Sequence, residues 1–204
     1  MNELAKDIID LYERNARHWD AARRAIPLCE NAWLDRFCSR IPSGGAILDV
    51  GCGGGEPIAR YLIERGFDVT GLDSSATMIS LCQERFPKCQ WLVGDMRTMA
   101  LGKSFQGVAA WDSFFHLAHE DQCRMFPIFR KHLASDGALL FTSGTDHGEA
   151  IGSYEGEPLY HASLSEAEYR SLLSLNGFTV TAHLVKDATC GHRNVWLAHL
   201  TPLR

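Results

Sequence analysis

No stretch of the 204-residue sequence comes near the roughly 20 consecutive apolar residues that a bilayer-spanning helix needs. The opening residues, Met1-Asn2-Glu3-Leu4-Ala5-Lys6-Asp7, also lack the apolar core of a secretory signal. Both absences predict a protein of the cytoplasm with no membrane partner. A basic excess is missing too: 20 Lys and Arg stand against 25 Asp and Glu, for a net charge of −5. Phosphate-rich partners need the opposite balance, so neither nucleic acid nor an anionic lipid surface is expected. The cysteines number seven, an odd count, and include no Cys-x-x-Cys pair. That predicts reduced thiols rather than a disulfide framework or a thiolate zinc site. The remainder is ordinary for a globular chain, with 46% apolar and 22% charged residues. The length suits one α/β domain with a small appended cover.

What the sequence does hold is Ala46-Ile47-Leu48-Asp49-Val50-Gly51-Cys52-Gly53-Gly54-Gly55. The apolar run reads as a buried strand, and the glycines allow a tight turn that brings backbone close to a ligand. A helix is expected over 56–65, with Pro57 in its first turn, where the missing N–H loses no helix bond. A dinucleotide loop would require Gly-x-Gly-x-x-Gly with a diphosphate at the helix N-terminus. Counted from Gly51 the third glycine falls on Glu56, and counted from Gly53 it falls on Ile58. Glu56 would repel a diphosphate.

The rest of the chain alternates strand and helix. Residues 67–72 read as a second strand delivering Asp73, 75–86 as a helix, and 89–93 as a third strand ending in Gly94-Asp95-Met96. An acid about 20 residues beyond the first turn is where a ribose acceptor stands in Rossmann-type folds, since a carboxylate can accept from two neighbouring hydroxyls. Helix capping is the competing use of Asp73, but Ser74 or Ser75 can serve there and leave it free. Residues 105–111 read as strand four, 122–133 as a helix with Asp121 before it, Ser135-Asp136-Gly137 as a turn, and 138–142 as strand five. A helix begins near Ser165 and ends at Asn176-Gly177. Strands 178–185 and 194–199 are joined closely enough to be antiparallel. The pattern is that of a doubly wound sheet.

Taken in order, Asp49-x-Gly51-x-Gly53-x-Gly55, Asp73 and Gly94-Asp95-Met96 resemble the motifs of class I S-adenosylmethionine-dependent methyltransferases of the small-molecule type. The likeness covers about residues 46–200. It implies a mostly parallel, seven-stranded, Rossmann-like sheet closed by a C-terminal antiparallel hairpin. The core would span 41–204, with an N-terminal helical cap over 1–40. It implies S-adenosyl-L-methionine as cofactor, contacted by Asp49, Gly51, Cys52, Gly53 and Gly55. Asp73 and Ser74 would stand at the ribose, Asp95 and Met96 at the adenine, and Trp111 along the cofactor. Residues 12–20 are rich in aromatic and basic groups. They read either as a plain amphipathic helix or as a lid, with Trp19 over the cofactor and Tyr12 or Arg17 at its carboxylate.

The implied reaction is in-line transfer of the sulfonium methyl to a small-molecule acceptor. Enzymes acting on base or amide nitrogens place Asn-Pro-Pro-Tyr-like residues after strand four, whereas this chain reads Trp111-Asp112-Ser113-Phe114-Phe115-His116-Leu117. Asp112 or Ser113 would bound the substrate side. His116 is the nearby group with a near-neutral pKa, and either acts as general base or fixes the following loop. His116 and His119 have no third ligand at a recognisable distance, so no metal site is expected. Residues 143–163 read as a long substrate-facing loop carrying His147, Glu149, Tyr160 and His161. His147 and His161 are the further candidates for a base. A nicotinamide oxidoreductase, a non-catalytic cofactor-binding partner domain, and a protein or RNA methyltransferase are the competing readings. The expected state is a monomer or homodimer.

Overall fold

The computed structural model describes residues 3–201. The ends of the expected cap and core, residues 1–2 and 202–204, lie outside the described residues. Helices α1 (Glu3–Ala25) and α2 (Asn31–Cys38) come first. Then follow β1 (Ala46–Val50), α3 (Ile58–Glu64), β2 (Asp68–Asp73), α4 (Ala76–Arg85) and β3 (Gln90–Val93). The second half holds β4 (Phe105–Ala110), α5 (His119–His132), β5 (Leu133–Ser143), β6 (Gly148–Tyr154) and β7 (Glu157–Ser163). It closes with α6 (Glu166–Leu175), β8 (Phe178–Asp187) and β9 (Arg193–Leu200).

Seven strands form one sheet in the order β3-β2-β1-β4-β5-β9-β8. The first five are parallel, and β9 runs antiparallel to both β5 and β8. Alternation along β1 divides the core. Ile47 joins the layer with Trp33, Phe37, Leu62 and Ile79, under α2, α3 and α4. Leu48 and Val50 join the layer with Phe126, Phe129 and Tyr169, under α5 and α6. Successive residues of a strand face opposite sides, so a strand buried on both faces must be apolar throughout. Asp49 breaks that rule. The strand order reverses between β1 and β4, which opens a crevice at their carboxyl ends where ligands of such sheets bind.

Four local expectations are corrected. Helix α3 starts at Ile58, and Pro57 stands just before it rather than in its first turn. Helix α5 starts at His119, two residues before Asp121, with Ala118 as its cap. The Ser135–Gly137 turn lies inside β5, where Asp136 takes a left-handed conformation (φ 63°) and the register with β4 shifts. The expected loop over 143–163 is a hairpin from residue 148 onward: β6 and β7 pair antiparallel from Gly148↔Ser163 to Tyr154↔Glu157. Glu155 and Gly156 turn the hairpin with φ of 51° and 81°. That pair of positive φ values gives a turn whose twist matches the flanking strands.

Candidate active site

Between the tips of β1–β4 and the underside of α1 lies a cavity enclosing about 760 Å³, its mouth included. That is the size class of a small-molecule or cofactor site. Gly51, Gly53, Asp73, Ser74, Asp95 and Met96 stand in its wall, together with Asp112, Ser113 and His116 from the end of β4. Tyr12 and Trp19 close it from α1. Arg17 is exposed and is not in the wall, because the helix turns it away from the face carrying Tyr12 and Trp19.

The glycine turn is shaped by its neighbours. A Cβ on Gly51 (φ +73°) would stand 2.3 Å from that of Ser113, whose hydroxyl donates to the Val50 carbonyl at 2.7 Å. Gly53 is different: no atom lies within 4 Å of where its Cβ would be, so the loop leaves open space there. The sequence reading left Asp73 free for the ligand, but it has other duties. One oxygen accepts from the Gly53 N–H at 2.9 Å and the other from the Ser75 N–H at 2.9 Å. It thus ties the glycine turn to the head of α4, while Ser75 is the helix cap. Each carboxylate oxygen retains a second acceptor site. Asp95 accepts from Arg97 through its backbone N–H at 2.9 Å and its guanidinium at 2.6 Å, which holds the carboxyl below its ordinary range.

Four residues expected at the ligand are not in the wall: three have side chains beneath it, and Gly55 packs against α4. Asp49 points into the sheet face beneath α3, is 2% exposed, and one of its oxygens has no partner. Burial, then the charge of Asp73, pushes its pKa up to about 7. Trp111 packs on the same face, with its indole N–H unpartnered. Cys52 turns its thiol toward the Gly53 carbonyl at 3.6 Å. Gly55 sits against Phe86 and Cys82, which leaves no room for a side chain. Strand alternation places Asp49 and Trp111 below the rim, and the turn's close packing on α4 buries the other two.

The three histidines part company. His116 is buried at the cavity wall. Its Nδ1 meets the Tyr160 carbonyl at 2.8 Å and its Nε2 meets the Tyr12 hydroxyl at 2.8 Å. A carbonyl only accepts, so Nδ1 carries the proton and Nε2 accepts from Tyr12. Burial pushes the imidazole down to about 4. His147 and His161 line a second cleft, between the end of β5 and the β6–β7 hairpin, with Glu149 and Phe115. His147 pairs with Glu168 at 2.9 Å, and the His161 ring lies 4.8 Å from that of His116 on the partition between the two spaces. His119 is occupied elsewhere, at the Gly148 and Ser163 carbonyls.

Sequence inspection missed the bolts that hold α1 down. Asp20 takes both terminal nitrogens of Arg85 at 2.5 Å, and Arg85 also donates to the Gly54 carbonyl at 2.9 Å. Glu13 accepts from Ser75 and Thr77 at the head of α4. Arg14 and Asn15 hold Glu157 at the tip of the hairpin. Their sequence signal is only a polar residue on one helix face, with a partner many positions away.

The wall suits an adenosine-type ligand without phosphate. Leu72, Met78, Met96 and Leu117 offer apolar faces, and the carboxylates of Asp73, Asp95 and Asp112 offer acceptors. Among the described lining residues the single cation is Arg97, and it is engaged by Asp95 and Asp121.

Residues 47–137 match the family model described as a methyltransferase domain. A putative methyltransferase of Bacillus subtilis is 35% identical over 140 residues, 64% of this chain and 54% of that protein. The dTDP-3-amino-3,6-dideoxy-alpha-D-glucopyranose N,N-dimethyltransferase of Streptomyces fradiae is 33% identical over 101 residues, 48% of this chain and 39% of that one. The chain thus spans about half the length, or less, of these curated relatives. Among solved structures, the S-adenosylmethionine-bound amino pentose methyltransferase of Micromonospora echinaspora superposes with a TM-score of 0.72 at 20% identity, covering 90% of this chain and 96% of that one. Fold and domain match agree: residues 47–137 match a methyltransferase domain, and the chain has the fold of the S-adenosylmethionine-bound methyltransferase it superposes on.

Proposed function

We propose that the protein transfers a methyl group from S-adenosyl-L-methionine to a small-molecule acceptor. The observation that carries this reading is the phosphate-averse cavity at the β1/β4 switch point, roofed by α1, with acids at the tips of β2 and β3. In this reading Asp73 receives the ribose hydroxyls, Asp95 the adenine amine, and Met96 packs on the ring. Gly51 and Gly53 let the backbone approach the amino-acid end, and Tyr12 and Trp19 cover it. Asp49 supports the turn from below.

The cofactor supplies a methyl already activated on a sulfonium, so the protein's contribution is alignment and exclusion of water. Helix α1 and the hairpin, bolted together through Glu157, provide the cover. His116 is neutral at pH 7 and its Nε2 is taken by Tyr12, which makes it an anchor for Tyr12 and the hairpin rather than the first choice of base. His147 and His161 stand in the second cleft, which opens on the far side of the partition and suits the body of an acceptor. Small-molecule acceptors are named for the Streptomyces relative and the Micromonospora structure, and the net charge of −5 fits that class better than nucleic acid. Seven unbridged cysteines suit a reducing compartment, and we place the protein in the cytoplasm. No helix among the described residues is long and apolar enough to cross a membrane.

Calorimetry with S-adenosylhomocysteine and with NAD tests the reading. Binding of the first alone is expected, and preference for NAD would overturn it.

A further inference from the structure

Four charges of alternating sign run from the end of α1 into the cavity. Arg23 is paired with Glu30, a fully buried acid that also faces Arg193 at 3.6 Å. Arg193 then grips Asp112 through Nε at 2.8 Å and Nη2 at 2.7 Å. Asp112 is the last member, and it lines the cavity beside Ser113 and Tyr12. Its backbone has a φ of 48°, unfavourable for a residue with a Cβ, and its N–H donates to the Thr142 hydroxyl at 2.8 Å. A strained conformation held by Arg193 and Thr142 at a cavity edge marks a side chain that is being aimed.

The sequence of signs ends on a negative group facing the ligand. A cation there would continue the alternation and replace water around a carboxylate that already has one fixed partner. The strand order tells which cation. With the adenosine half at the tips of β2 and β3, as the proposed function has it, the ligand's other end lies over β1 and β4, where Asp112 stands. Asp73 and Asp95 stand at the ends of β2 and β3, by the adenosine half, which leaves Asp112 as the lining acid at the end of β4.

We propose that Asp112, aimed by Arg193 and Glu30, is the counter-ion for the α-ammonium group at the amino-acid end of the cofactor. This rests on the cofactor reading above. It makes Arg193 and Glu30 positioning residues, and links the cofactor's amino-acid end to the C-terminal turn of α1 through Arg23.

The test is calorimetry on wild type and Asp112→Asn with three ligands. S-adenosylmethionine carries a sulfonium and an ammonium, S-adenosylhomocysteine the ammonium alone, and 5′-methylthioadenosine neither. The variant is expected to bind the first two about ten- to hundred-fold more weakly, the range for losing one charge-assisted contact. Binding of 5′-methylthioadenosine should change by less than about twofold, which also reports that the variant is folded. Asp112→Glu, which keeps the charge, should restore part of the loss. A loss confined to S-adenosylmethionine would place the sulfonium, not the ammonium, at Asp112 and overturn the proposal. An equal loss for all three ligands, or none for any, would overturn it as well. Wild type that binds none of the three would remove the cofactor reading itself, a distinct outcome.

Discussion

The Tyr12 hydroxyl, on the first helix, donates to Nε2 of His116 at the tip of the fourth strand across 2.8 Å, and the other ring nitrogen holds the Tyr160 carbonyl of the hairpin. One imidazole therefore joins the three bodies around the cavity: cap, core and hairpin. Its burial requires the neutral ring.

That requirement has a pH signature. Burial lowers His116 to about 4 from an ordinary 6.5. Between those values the unfolded chain binds more protons, so the stability this group contributes is complete above about 6.5 and is lost as pH falls toward 4. The stake is on the order of 3 kcal/mol. Urea unfolding of wild type and His116→Gln at pH 7 and pH 4.5 should show a smaller acid loss in the variant. Equal losses would mean that the ring tolerates its charge.

Asp49 has the opposite sign. Its folded pKa of about 7 lies above the ordinary 3.8, so the stability it contributes is complete below 3.8 and is lost as pH rises through 7. Ligand-free wild type should lose up to about 3–4 kcal/mol from this group between pH 4 and pH 8. Asp49→Asn should remove that slope. Unfolding curves at the two ends of the range measure it, and parallel slopes would show the carboxylate to be satisfied.

Gly51→Ala should be strongly destabilising. The new methyl would stand 2.3 Å from the Ser113 Cβ in a left-handed backbone conformation. Strain and overpacking together suggest about 2–4 kcal/mol. Gly53→Ala meets no atom, so its cost should be the smaller backbone term of about 1–2 kcal/mol. Comparing the two melting temperatures checks the ranking.

Asp20→Ala should loosen α1 specifically. The acid is 6% exposed and its partner Arg85 reaches on to Gly54. Removing one member of such a buried pair costs about 3–5 kcal/mol when it leaves a charge unpaired. Hydrogen exchange should accelerate along α1 while amides of α5, on the opposite face, keep their protection. Uniform acceleration would show the helix to be part of the global cooperative unit instead.

Asp73→Ala should weaken S-adenosylhomocysteine binding by about 1–3 kcal/mol, through lost hydrogen bonds to a charged group. Because Asp73 also holds the Gly53 and Ser75 N–H groups, the melting temperature should fall too. Unchanged affinity with a lowered melting temperature would make it a structural clamp only.

The strands and the glycine turn were legible because burial imposes apolar runs and close approach imposes glycine. Strand β1 has the bounds expected, Ala46–Val50. The hairpin was not legible. All five inner residues of β6 are exposed, so no apolar alternation marks it, and its turn is Glu-Gly rather than the usual Asn-Gly. Burial of Trp111 and Asp49 below the rim was equally hidden, since facing depends on which side of the pleat meets the crevice.

From the sequence alone came the doubly wound order, the strand-to-helix turn and the acids at the ends of the second and third strands. Each is set by local rules: period, conformational freedom and the length of a crossover. Only the tertiary structure decided what those acids touch. Asp20 finds Arg85 across 65 positions and Asp112 finds Arg193 across 81. No local pattern marks such pairs. They arise because the fold brings an acid and a guanidinium into one partly buried place, where each needs the other more than it would in water.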